Sequence, residues 1–354
     1  MLDVEALSVA YGANRVLHGV SLSVPKGEMI ALLGSSGCGK TTLLRAISGF
    51  TAVEGGTIRL AGRDVTRLPP EKRDTGMVFQ SYALWPHMTV AQNIGYGLKL
   101  RGRSKADIAA AVAKLTGMLG LGGLEQRPVT QLSGGQRQRV ALGRVLAINP
   151  SLLLLDEPLS NLDARIRLKV RHEIKAIQRD LGLTAVMVTH DREEAMVMAD
   201  RIVVMADGRI AQIGTPEDVY LRPASAFVAR FMGAENHLRL TARRDRGGIA
   251  VAAGPANGAA LLADRPGLGM GAVDAFFRAE AARLVDQGRD VGDGLMLTGR
   301  IAQASYPGGI YRYAVAVGAD QYLIDDTARR TPGDAVAIHL PDDALYLFPP
   351  QAEA

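Results

Sequence analysis

From Leu2 to about Gly233, short apolar runs alternate with stretches whose apolar residues recur at helical spacing. This predicts an α/β layer built on a largely parallel sheet. Three runs, Met29 to Leu33, Leu152 to Leu155 and Ala185 to Thr189, are apolar almost throughout, as strands covered on both faces should be. Each ends in a polar cluster: Gly34 to Thr41, Asp156-Glu157-Pro158, and Thr189-His190-Asp191. Ligands of open α/β sheets gather at the carboxyl ends of the strands, so the three clusters define one candidate site. Between Trp85 and Gln131 the pattern turns helical, with Lys105 to Leu119 rich in Ala, Lys and Leu between glycine-containing turns. A small helical subdomain at about residues 85–150 is expected there. After Asn236 the period falls to two, in Ile310 to Val317 and Ala335 to Leu340, each following a turn at Tyr306-Pro307-Gly308-Gly309 or Thr331-Pro332-Gly333-Asp334. The expected organisation is therefore an α/β domain over residues 1–235 and a β-rich barrel domain over 236–354.

The first polar cluster has a recognisable chemistry. Gly34-Ser35-Ser36-Gly37-Cys38-Gly39-Lys40-Thr41 fits G-x-x-x-x-G-K-[ST] and is entered from a buried strand. Glycines let the backbone curl so that successive N–H groups point at phosphate oxygens, and the helix beginning near Lys40 adds its positive end. Lys40 would neutralise the β- and γ-phosphates, and Thr41 would offer its hydroxyl to Mg²⁺. The chain is expected to bind a nucleoside triphosphate. Asp156 and Glu157, adjacent acids at a buried strand end, form an arrangement tolerated where a cation or a reaction needs it. Asp156 suits a Mg²⁺ shell, and Glu157 suits a base that deprotonates an attacking water. Leu132-Ser133-Gly134-Gly135-Gln136 precedes a helical run from Arg137 to Ala147. Taken alone it reads as a well-capped helix before it reads as a second anion site.

Composition narrows the surroundings. The 354 residues suit roughly two domains. No stretch approaches the ~18 apolar residues of a membrane span, and the N-terminus, Met1 to Glu5, is acidic where a secretory signal is basic. A soluble, cytoplasmic protein is expected. Cys38, the only cysteine, excludes an internal disulfide. The net charge of +5 raises the question of nucleic acid. The densest basic run, Arg165, Arg167, Lys169 and Arg171, is spaced so as to spread around a helix, and aromatics for base stacking are sparse nearby, so no nucleic-acid partner is expected.

The order of the motifs goes further. The phosphate loop, Gln80 after Met77-Val78-Phe79, Leu132 to Gln136, Leu152 to Glu157, Ser160-Asn161-Leu162-Asp163 and His190 together resemble the ATP-binding cassette family over the first two-thirds of the chain. The resemblance implies a P-loop NTPase cassette in which two copies meet head to tail with ATP between them. It implies that Gly34, Ser35, Ser36, Gly37, Cys38, Gly39, Lys40, Thr41 and Thr42 hold phosphates, and that Thr41, Gln80 and Asp156 serve Mg²⁺. Glu157 would be the base, with Gln80 near the attacking water and His190 at the γ-phosphate. Ser133, Gly135 and Gln136 would act across the dimer, Asp163 would join the two sites, and Tyr11 would stack on adenine, though as an isolated residue it reads as ordinary packing. The final third resembles the OB-like, TOBE-type regulatory domain of bacterial importer ATPases through Leu297 to Ile301 and Tyr306-Pro307-Gly308. Arg278-Ala279-Glu280 departs from that domain's usual Arg-Pro-Glu.

These resemblances imply an ATPase homodimer on the cytoplasmic face of the inner membrane. It would work with two membrane permease subunits and a solute-binding protein on a small polar solute such as ferric iron, a polyamine or a phosphonate. Ser81 to Met88, which includes the only tryptophan, Trp85, is expected near the permease contact, although Trp85 and His87 individually also suit internal packing. The competing reading is a non-transport cassette acting on ribosomes or DNA. Such proteins carry paired cassettes or a long coiled-coil insertion, and this chain has neither.

Overall fold

The computed structural model describes residues 1–245, 247–253, 258–265, 268–289 and 291–350. The chain divides into two compact units, Met1–Val219 and Tyr220–Ala354. This division falls earlier than residue 235, because the helix Ala226–Phe231 buries Ala226 and Ala229 in a cluster with Phe276, Tyr346 and Phe348 of the second unit.

In the first unit a six-stranded sheet runs in the order Arg209–Gly214, Arg201–Ala206, Met29–Gly34, Thr184–Val188, Leu152–Asp156, Thr75–Val78. All neighbours are parallel except the first pair. The three apolar runs read from the sequence are its central strands, and every residue in them is buried. A second sheet was not separable from the α/β pattern. Leu2–Tyr11, Asn14–Val24, Gly55–Leu60 and Arg63–Asp64 form an antiparallel four-stranded sheet. Its strands alternate, with Leu2, Val4, Leu7 and Val9 buried in the same core as Ile30 and Leu32 of the parallel sheet.

The helical region contains Val90–Leu100, Lys105–Met118 and Gly134–Ala147, which pack on one another. The last begins three residues earlier than its apolar pattern suggested. Ser133 caps it in a reciprocal box with Gln136, so Gly134 and Gly135 lie inside the first turn. Of the basic run on the helix Ala164–Asp180, the Arg165 side chain lies outside the described residues. Arg167 and Arg171 pair with Asp191, Glu193 and Glu194, and Lys169 pairs with Glu173. Among the described residues no helix is long and apolar enough to cross a membrane.

Among its described residues the second unit has two five-stranded antiparallel sheets. One runs Ala259–Ala263, Gly248–Ala252, Asn236–Asp245, Gly271–Phe277, Tyr346–Phe348; the other runs Arg283–Asp286, Ala335–Leu340, Leu295–Ser305, Tyr311–Val317, Asp320–Asp326. Alternate residues of both enter one core, including Leu240, Val273, Phe277, Leu297, Val315 and Ile338. The Arg-Ala-Glu segment has a structural task within this unit. The buried Arg278 guanidinium lies 3.6 Å from the Tyr220 ring centre, bonds the Tyr346 hydroxyl, and donates to the Tyr220 carbonyl at 2.8 Å. Glu280 accepts from the Tyr220 hydroxyl at 2.6 Å. Burial and this carboxylate push the Tyr220 phenol up to about 12.

Candidate functional site

The strand Met29–Gly34 delivers the chain into the phosphate loop, and the helix Lys40–Ser48 leaves it. Gly37 and Gly39 take φ values of +82° and +100°, which a side chain would strain. A Cβ on Gly39 would also meet Leu17 at 2.7 Å, and one on Gly34 would meet the Met205 carbonyl at 2.4 Å. The loop is braced from behind: Gly208 N–H donates to the Cys38 carbonyl at 3.2 Å, and His18 N–H donates to the Gly208 carbonyl at 3.0 Å. At the far end of the helix the buried Arg73 donates to the Ala46 and Ile47 carbonyls at 2.7 and 2.9 Å. A cation at a helix C-terminus satisfies carbonyls that have no partner within the helix. No motif pointed to Arg73, and nothing in its sequence neighbourhood would have.

The Lys40 ammonium, almost fully buried, donates to the Gly34 and Ser35 carbonyls at 2.7 and 2.8 Å. Its third hydrogen is left for the weak acceptor Cys38 Sγ, 3.7 Å away, or for an anion. Around it lies a cavity of about 330 Å³, lined by Ser36, Gly37, Gly39, Lys40, Thr41, Thr42, Glu157 and His190. Residues from three strand ends, drawn from Ser36 to His190 along the chain, thus face one space.

Behind the cavity, Thr41 Oγ1 donates to Asp156 Oδ1 at 3.5 Å. Burial raises the Asp156 pKa against the opposing charge of Arg45, Glu157 adds to the rise, and the Thr41 bond reduces it. A buried carboxylate next to a hydroxyl, facing a space suited to phosphate, is a hard-oxygen donor set appropriate to Mg²⁺, which keeps several ligand positions for water and substrate. Glu157 stands in a left-handed conformation, φ +44°, with its N–H bonded to the Val188 carbonyl at 3.0 Å. Gln80 Nε2 donates to Glu157 Oε2 at 2.8 Å, and His190 Nδ1 lies 3.4 Å from Glu157 Oε1. Asn161 Nδ2 donates to the Gln80 carbonyl at 2.6 Å. Asn161 belongs to the Ser160 to Asp163 motif, in which the family resemblance assigns a task to Asp163 alone. The turn at His190 is held by Thr189 Oγ1, which donates to Glu194 Oε2 at 2.7 Å and accepts from Asp191 N–H at 3.0 Å. Burial, ahead of the Thr189 bond that opposes it, raises the Glu194 pKa.

Other candidate residues stand apart from this cavity. Tyr11 is half exposed on the antiparallel sheet, its hydroxyl 3.3 Å from Thr51 Oγ1. Ser133 N–H donates to Gln136 Oε1 at 3.0 Å, and Gly135 is buried in the first helical turn beside Ile166. Asp163 caps the helix Ala164–Asp180, accepting from Ile166 N–H at 3.0 Å. A separate cavity of about 990 Å³ in the helical region is lined by His87, Met88, Gln92, Tyr96 and Lys99 among others. Trp85 packs its ring on Tyr96 with centres 5.6 Å apart.

Residues 17–160 match the family model described as ABC transporter. The sulfate/thiosulfate import ATP-binding protein CysA 2 of Chromobacterium violaceum is 48% identical over 99% of this chain and 96% of its own length. The chain belongs to the ABC transporter family. It is an ATPase, as its catalytic cassette requires. The Fe(3+) ions import ATP-binding protein FbpC 2 of Rhizobium meliloti is 54% identical to this ABC ATPase over 64% of the chain and 58% of its own length. Among solved structures, cbiO1 of Clostridium perfringens, part of the ABC transporter complex cbiONQ, superposes with a TM-score of 0.58 at 29% identity, covering 62% of this chain and 89% of that one.

Proposed function

We propose that this chain is the ATP-hydrolysing subunit of a bacterial importer, working as a homodimer against two membrane permease subunits on the cytoplasmic face of the inner membrane. The observation that carries the reading is the single cavity that unites Lys40, Thr41, Glu157 and His190. In this reading the loop N–H groups and Lys40 hold the phosphates, and Thr41, Asp156 and Gln80 hold Mg²⁺. The ion, when bound, neutralises charge on the β- and γ-phosphate oxygens. Glu157 accepts the proton of the attacking water, Gln80 keeps the Glu157 carboxylate aimed at it, and His190 contacts the γ-phosphate.

Ser133, Gly135 and Gln136 complete the partner copy's site, Asp163 bridges the two, and Tyr11 offers its exposed ring to adenine. Support for the first of these is position: the capped N-terminus of Gly134–Ala147 lines none of its own chain's phosphate cavity, and Ser133 is exposed. The His87 and Met88 groove receives a helix of the permease, which suits its apolar walls and its size. The second unit serves as a TOBE-type barrel. Cargo selectivity belongs to the permease and a solute-binding protein. Ferric iron, polyamines and phosphonates remain proposed cargos, and sulfate joins them because the sulfate/thiosulfate relative matches across both units.

Glu157→Gln tests the chemistry. The amide keeps the shape but accepts no proton, so phosphate release should fall on the order of 10²- to 10⁴-fold while ATP affinity persists. Turnover near that of the wild type would remove Glu157 from the mechanism. Uptake of radiolabelled sulfate or iron by a deletion strain, restored by the wild type and not by Lys40→Ala, tests the transport role.

A further inference from the structure

We propose that the first unit carries a second small-molecule pocket, distinct from the nucleotide site, which takes an uncharged, largely apolar molecule bearing a carboxamide or lactam edge. The pocket measures about 400 Å³ and lies among the end of Lys105–Met118, the helix Gly134–Ala147 and the helix Ala164–Asp180. That volume is within the range of small-molecule sites. Its walls are mostly apolar, from Leu119, Leu142, Val170, Ile174 and Ile177, with Arg139, Glu173 and the exposed Asp180 as charged members of the lining. A buried amide lies among them. Gln138 lines the pocket, is only 2% exposed, and among the described residues neither its Nε2 nor its Oε1 has a hydrogen-bond partner.

An amide buried with both ends unpaired is costly, and the cost is avoided by any apolar side chain of similar shape. Gln138 therefore points to something that pairs with it. A side-chain amide presents a donor and an acceptor side by side, and the group that answers both at once is another planar amide. The walls set the rest of the molecule. Charge is disfavoured because Arg139 and Glu173, at the same pocket, already neutralise each other at 2.8 Å, and the remaining acid of the lining, Asp180, is exposed to solvent.

The location gives such a ligand a consequence. Two of the three walls are the helix capped by Ser133 and the helix capped by Asp163. An occupant would fix the packing of those helices, and with it the placement of both caps, so occupancy would alter turnover without touching the phosphate cavity.

Benzamide is a suitable probe, with toluene as the apolar control. In methyl-resolved NMR of the full chain, benzamide should give saturable shifts concentrated on Leu119, Leu142, Val170, Ile174 and Ile177, and should bind about tenfold more tightly than toluene. Gln138→Met should abolish that preference and, in the ligand-free protein, raise the melting temperature because the unpaired amide is gone. Ile174→Phe, which fills the space from the opposite wall, should abolish the benzamide shifts in a protein that still binds ATP. No shifts at millimolar benzamide, equal benzamide binding by Gln138→Met, or a lower melting temperature for that variant would each overturn the proposal. The last result would mean that water alone already satisfies the amide.

Discussion

Burial raises the proton affinity of Asp156, and Arg45 and Thr41 only partly oppose it. The sign of the effect on stability follows from linkage. Below the ordinary value of 3.8 the carboxyl is protonated in both folded and unfolded chains, and the burden is absent. As pH rises through that value the unfolded chain ionises first, so the fold loses stability until the raised folded-state pKa has been passed. Asp156→Asn is therefore expected to melt higher than the wild type near neutral pH, with the gain shrinking towards about pH 4. The same variant should lose the extra stabilisation that Mg²⁺ adds to ATP, because an amide is a poorer ligand for a hard cation. Paired melting curves, with and without Mg²⁺ and across pH, check both halves. A residue kept against stability is one kept for its ligand.

At the scale of elements, the segment after Gln80 is held in place by helices on either side of it. Tyr82 and Ala83 adopt left-handed conformations, φ +62° and +45°, and Arg144 donates to their carbonyls at 2.9 and 2.7 Å. Asn93, fully buried, bonds both the N–H and the carbonyl of Trp85 at 2.9 and 3.2 Å. Arg144→Met should leave ATP affinity intact while freeing this segment, at a cost of about 1–3 kcal/mol from the unpaired carbonyls. The expected readouts are faster amide exchange over Gln80 to Met88 and, with the permease partner proposed above, weaker stimulation of turnover.

The sequence revealed the central strands and the polar clusters at their ends, because burial on both faces leaves an unbroken apolar run and chemistry leaves charged residues where such runs stop. Arg144, Asn93 and Arg73 were not legible. Each acts through backbone carbonyls or amides distant in the chain, and such partners have no side-chain identity to read. The antiparallel sheet is hidden in the sequence for a different reason: its period-two strands lie next to the parallel ones along the chain, and pairing partners are set by the fold.

For the whole molecule, the boundary between the units decides where it can be cut. A chain ending at Gly233 retains Ala226 and Ala229 without the Phe276, Tyr346 and Phe348 surface that covers them. A chain ending at Leu221, the last residue of the helix Pro216–Leu221, does not. The shorter piece is expected to bind ATP and elute as a discrete species, and the longer one to bind ATP but self-associate, as exposed apolar surface promotes. Gel filtration alongside nucleotide-induced thermal shifts distinguishes the two.

The brace behind the phosphate loop has a consequence of another kind. Through His18 and Gly208 the loop joins the antiparallel sheet to the parallel one, so opening either sheet dismantles the nucleotide site. Ligand that binds only the intact form lowers the population of every such opening by the same factor. Slow amide protons in Leu2–Tyr11 and in Thr184–Val188, which share no hydrogen bond with each other, should therefore be protected by ATP to an equal extent, and the two sheets should exchange as one cooperative body.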